Sequence, residues 1–174
     1  MIHKSSKADR QRAVDALVLG FSRDPVVRWF FPEPNQYLVE FPALIESFGG
    51  RAFDHDCAYH TEGLLGSALW LPPDVHPDED GITQVLERNV EGSKLEQAAS
   101  LFEQMDQYHP DEPCWHLTYI AVDPTHTGNG HGGKLLEHTL KMIDEKKQLA
   151  YLESSNPANI SLYLRHGFEL IGEI

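Results

Sequence analysis

Along the first third of the chain apolar residues recur three and four positions apart, the period of a helix with one buried face. After a short strand near Ile2, residues 8–21 place Ala13, Ala16, Leu17 and Phe21 on one side, and Gly20 marks the end. In "SRDPVVRWFFP", Asp24 is a cap, Pro25 fits the first helical position and Pro32 closes the segment. Tyr37, Leu38, Phe41, Leu44, Ile45 and Phe48 keep helical spacing up to Gly49 and Gly50, with a kink expected at Pro42.

The period then shortens. "CAYHTEGLLGSALWLPP" carries two apolar runs around Glu62 and Gly63 and reads as a hairpin ended by Pro72 and Pro73. Residues 78–108 return to helical spacing, with Leu95, Ala98, Ala99, Phe102 and Met105 on one face. A strand "CWHLTYIAV" runs into a glycine-rich loop, followed by a helix with Leu136, Leu140 and Ile143 in register, a strand "LAYLES", a helix "ANISLYLRH" and a final strand "FELIGEI". Alternating strands and helices argue for a mixed α/β sheet with ligand chemistry at the strand ends. No repeat or linker interrupts residues 1–174, so one domain is expected.

Charge changes the picture more than size does. The chain has 14 basic and 27 acidic residues, a net charge of −13. Such a field repels a nucleic-acid backbone and attracts a small cation. Cys57 and Cys114 are the only cysteines, too few for a disulfide framework, which points to a reducing, cytoplasmic setting. No apolar run is long enough to cross a membrane. "DHD" at 54–56 and "HPDEPCWH" at 109–116 lack spacings that converge on one ion, so no metal is expected.

The loop "DPTHTGNGHGGKLL" admits three readings. As a nucleotide-phosphate loop, Gly128, Gly133 and Lys134 need a following serine or threonine to reach magnesium, and Leu135 stands there. As a dinucleotide fingerprint, Gly128, Gly130 and Gly133 gain a ribose acid in Glu153, twenty residues on. Against that reading, "DPTHT" separates the loop from its strand, and only 41 residues follow Gly133. The third reading takes the spacer as part of the motif, with Val122, Pro124, Gly128, Gly130, Gly132 and Leu135 in place. Backbone N–H groups at a helix N-terminus then suit the pyrophosphate of coenzyme A.

On these residues the chain resembles the GNAT superfamily of N-acetyltransferases, and within it the puromycin N-acetyltransferase branch. "IAVDPTHTGNGHGGKLL" is similar to the superfamily's acetyl-CoA loop and "LESSNPANISLYLRHGF" to its second block, while "HPDEPCWHLTYIAV" resembles the branch. The resemblance implies an α/β fold with a mixed, mostly antiparallel central sheet flanked by helices, whose splayed strands form the acetyl-CoA site. It implies that Ile120, Ala121 and Val122 hold the pantetheine arm and acetyl group. Thr127, Gly128, Asn129, Gly130, His131, Gly132 and Gly133 would surround the pyrophosphate, and Asn156 and Asn159 would bond to the cofactor. Thr127 stands where relatives carry arginine or glutamine, with His126, His131 and Lys134 as compensating cations. The chain stops seven residues after Gly167, short of that family's closing strand. Either that strand lies beyond this chain or a partner supplies it, a homodimer being one arrangement.

The implied reaction is acetyl transfer from acetyl-CoA to the primary amine of a small molecule, by direct attack in a ternary complex. An amine with a pKa near ~10 is only about one part in a thousand neutral at pH 7, so a base is required. His116 is the first candidate base, six residues before Val122 and, by strand alternation, on the face of Ile120 and Val122. Glu153 is the second, and Tyr163 is the expected proton donor to the departing sulfur. Trp29, Phe30, Phe31 and Trp70 are candidate pocket walls that more often belong to a core. The competing class is an acyl-CoA-binding sensor that keeps the fold without transferring anything.

Overall fold

The computed structural model describes residues 1–174. Five strands, β1 (Ile2–Lys4), β2 (Ala58–Thr61), β3 (Gly66–Leu71), β4 (Cys114–Val122) and β5 (Leu149–Tyr151), form one sheet in sequence order. The first three pairings are antiparallel and β4–β5 is parallel. Helices α1 (Arg10–Gly20), α2 (Pro25–Phe30), α3 (Pro34–Gly49) and α4 (Arg51–Asp54) precede the β2–β3 hairpin. Between β3 and β4 lie α5 (Glu79–Asn89) and α6 (Ser93–Tyr108), and α7 (His131–Glu145) and α8 (Ile160–Arg165) follow β4 and β5.

The sheet is covered on both faces, which explains why all six residues of β3, "GSALWL", are buried and mostly apolar. Leu69 and Leu71 point into a core built from α1 to α6, with Phe41 and Ile45 among its fully buried members. Ala68 and Trp70 point the other way, into a smaller core with Leu135, Leu136, Ile143 and Tyr163. Each buried leucine, isoleucine or phenylalanine among them contributes roughly 1.5–3 kcal/mol on leaving water. Phe30, Phe31 and Trp70 are core residues, whereas Trp29 is partly exposed, with the Lys94 ammonium over its ring.

Two expected elements differ. Residues 78–108 form two helices because Val90 adopts extended backbone and buries its side chain in the main core. Residues 168–174 form no strand: Gly172 lies against the Tyr108 ring of α6, and a strand needs another strand to pair with. The α3 helix runs on through Pro42.

Candidate active site

Strand β4 organises the site. The β4–β5 ladder has three rungs, Cys114↔Leu149, Trp115↔Ala150 and His116↔Tyr151. Beyond His116, β4 continues for six residues paired only with β3, so the two parallel strands part. Burial follows: residues 114–117 are buried, whereas Ile120, Ala121 and Val122 are only half-buried. The gap opens at the end of β4 that leads into the glycine loop.

The alternation expected along β4 fails at one point. Register slips between Leu69↔Tyr119 and Trp70↔Leu117, so Thr118 is the extra residue of a bulge. Trp115, Leu117 and Ile120 pack in the small core with α7. His116 and Tyr119 both meet the Phe48 ring on the opposite face. His116 therefore does not share a face with Ile120 and Val122, because the inserted residue shifts the alternation by one. Helix α3 seats the bulge: a Cβ on Gly49 would lie 2.5 Å from the Thr118 hydroxyl oxygen and 3.0 Å from the Tyr119 ring.

His116 and Glu153, named as separate candidates, are one unit. Their Nε2 and Oε2 atoms are 2.7 Å apart, and the imidazole is buried among the Phe48, His109 and Tyr151 rings. A carboxylate oxygen accepts, so this contact is made by an Nε2–H, and Nδ1 has no hydrogen-bond partner. Burial, with the Glu153 charge adding to it, raises the Tyr151 phenol pKa. Glu153 thus engages His116, the residue at which β4 and β5 part.

Tyr163 is buried on α8, and burial together with the nearby Asp24 charge pushes its pKa up to about 12. Asp24 itself is a residue the sequence marked only as a cap. Its Oδ1 does accept from Val26 and Val27, but its Oδ2 accepts from the Ser155 hydroxyl at 2.6 Å, 131 residues away. This buried carboxylate ties α2 to the segment that leads into α8. Nothing local in either sequence stretch announces the contact.

The glycine loop begins with a short 3-10 turn, Pro124–His126, capped by Asp123 through Thr125. Thr127 and Asn129 donate to Pro124 and His126 carbonyls and shape the turn. Gly128 and Gly130 have φ of 79° and 77°, left-handed values that favour glycine, and Gly130 caps α7. The backbone N–H groups of residues 128–133 find no acceptor in the chain, and Cβ atoms on Gly128 or Gly130 would meet nothing within 4 Å. Open space over unshared donors at the start of α7 fits a diphosphate. Asn156 spends its Oδ1 on Ala158 N–H, and Asn159 is exposed at the start of α8.

On the other side of the His116–Glu153 pair lies a cleft of about 790 Å³ between α5, α6 and the beginning of β4. Its floor includes Phe48, Ile82, Leu86 and Phe102. The arrangement is a histidine–carboxylate pair at the parting of two strands, with the glycine loop on one side and a cleft of small-molecule size on the other.

Comparison with known proteins agrees with this geometry. Residues 79–170, more than half of the chain, match the model of the acetyltransferase (GNAT) domain. The chain belongs to the GNAT family of N-acetyltransferases. The match stands at the level of the superfamily, coarser than the puromycin N-acetyltransferase branch.

Solved structures share the fold. The histone acetyltransferase HPA2 and related acetyltransferase from Corynebacterium glutamicum is 24% identical, with a TM-score of 0.70 over 100% of this chain and 87% of that one. The Drosophila melanogaster polyamine N-acetyltransferase, which forms N-acetylagmatine, is 18% identical at a TM-score of 0.68 over 99% and 84%. A GNAT family acetyltransferase from Brucella melitensis in complex with acetyl-CoA is 13% identical at 0.53 over 98% and 82%. No helix is long and apolar enough to cross a membrane.

Proposed function

We propose that residues 1–174 act as one domain that transfers an acetyl group from acetyl-CoA to a primary amine of a small molecule. The observation that carries this reading is the His116–Glu153 pair where β4 and β5 part, between the glycine loop and the cleft. Acetyl-CoA supplies the acetyl group as a thioester. Residues 127–133 hold its pyrophosphate through backbone donors, and Ile120, Ala121 and Val122, free of β5, hold the arm and polarise the carbonyl. Asn156 and Asn159 border the same ligand.

Glu153 holds the His116 ring in the tautomer whose Nδ1 can take the proton of the attacking amine. The amine nitrogen forms the new N–C bond as the C–S bond breaks. Tyr163 retains its proton through neutral pH and gives a hydrogen bond to the departing sulfur. Asp24, through Ser155, positions the segment that carries Tyr163. Acetyltransferases of this fold, among them the Drosophila polyamine enzyme, support an amine acceptor. The test is thiol release from acetyl-CoA with a panel of amines against buffer alone. Amine-dependent release with an N-acetylated product by mass is expected, whereas coenzyme binding without transfer to any amine supports the sensor reading instead.

A further inference from the structure

The cleft beside His116 has an uneven charge. Eight carboxylates line it and no lysine or arginine does, although the chain carries 14 basic residues. Apart from Glu153, none of these carboxylates is in an ion pair. Like charges around a concave wall repel one another and raise the local concentration of cations. A second feature points to a ligand: the His116 side chain lines the cleft at 9% exposure, and its Nδ1 makes no hydrogen bond.

The charges are also spaced. Glu79, Thr83 and Glu87 recur at i, i+4 and i+8 on α5, a stripe about 12 Å long at 1.5 Å per residue. Glu103 and Asp106 sit one turn apart on α6. Between the acids the floor is apolar, with Phe48, Ile82 and Phe102. An alternation of carboxylates and apolar side chains matches ammonium groups joined by methylene segments, and it disfavours a carboxylate-bearing amine. A volume of about 790 Å³ suits a small molecule rather than a folded partner.

We propose that this cleft selects an aliphatic amine with two or more positive charges. One nitrogen reacts at His116 and the other ammonium groups lie among Glu79, Glu87, Glu103 and Asp106. The inference rests on the acetyl-transfer reading and names its substrate class.

The test compares butylamine, 1,4-diaminobutane and spermidine, alike in backbone and different in charge. Calorimetric titration into the protein saturated with coenzyme A reads the cleft without turnover, and kcat/KM reads it with turnover. Spermidine is expected to outdo butylamine by about tenfold or more in both, with the steeper loss on adding salt. In Glu87→Gln/Glu103→Gln that preference shrinks several-fold. In Asp144→Asn/Glu145→Gln, which removes the same charge from the end of α7, it stays.

Equal affinity for spermidine and butylamine overturns the proposal. So does an equal loss of preference in the α7 control, or a preference for a lysine-rich peptide over spermidine. Tight spermidine binding with no transfer to any amine supports the cleft's ligand class and counts instead against the acetyl-transfer reading.

Discussion

His116 Nε2 and Glu153 Oε2 lie 2.7 Å apart at the place where β4 and β5 stop pairing. One partner comes from within β4 and the other from just past β5, so the contact exists only because the two parallel strands are in this register. If His116 is the base, His116→Ala slows amine-dependent turnover by about a hundredfold or more while the fold persists. Added imidazole restores part of the rate. Glu153→Gln also loses activity, since an amide that donates to Nε2 moves the ring hydrogen to Nδ1. Turnover unchanged in His116→Ala removes the assignment.

Tyr163→Phe tests the donor to the leaving group. The variant keeps the buried ring, so melting is expected to move little, while kcat drops roughly tenfold or more and KM for acetyl-CoA holds. A stability loss with kcat intact makes Tyr163 a core residue only.

The sequence announced β4 and the loop because their signals are local: "CWHLTYIAV" is an apolar, strand-favouring run interrupted only by His116 and Thr118, and Asp123-Pro124 ends it. The cap at Asp24, the hairpin and the helical period of α1 and α3 are local too. What escaped is set by distant partners. The bulge at Thr118 depends on β3 and on the close approach of Gly49, so alternation put His116 on the wrong face. Asp24 meets Ser155 across 131 residues. The "FELIGEI" pattern forms no ladder: Phe168 packs on Tyr163, whereas Leu170, Ile171 and Ile174 are exposed. The acids of the cleft come from separate helices and loops, so no local spacing in the sequence marks them as one site.

Gly49→Ala tests the seat of the bulge. The added Cβ meets the Thr118 hydroxyl, which donates to the Leu69 carbonyl, and the buried Tyr119 ring. A loss of ~1–3 kcal/mol in urea unfolding is expected, together with reduced turnover through the displaced strand. Wild-type stability shows that α3 does not fix this segment.

His60 gives the fold a pH dependence. Burial lowers its pKa below the ordinary value of about 6.5, and its Nδ1 is 2.9 Å from the Ser5 hydroxyl oxygen. The unfolded chain therefore takes a proton first. Stability is complete above about pH 6.5 and declines as pH falls from there toward the lower folded value. The urea midpoint should fall between pH 7.5 and 5.5, and His60→Gln should show a smaller fall. An identical slope in both proteins rules out His60 as the source.

Acetyl transfer at the His116–Glu153 pair requires the coenzyme on the loop after Val122, and calorimetric titration of acetyl-CoA tests that requirement most directly. One molecule is expected to bind per chain, and binding is expected to weaken by about tenfold or more in Gly128→Val/Gly130→Val, where side chains enter the space above the unshared donors and both φ values oppose them. No heat with acetyl-CoA, the same affinity in the variant, or tighter binding of a nicotinamide dinucleotide would contradict the account.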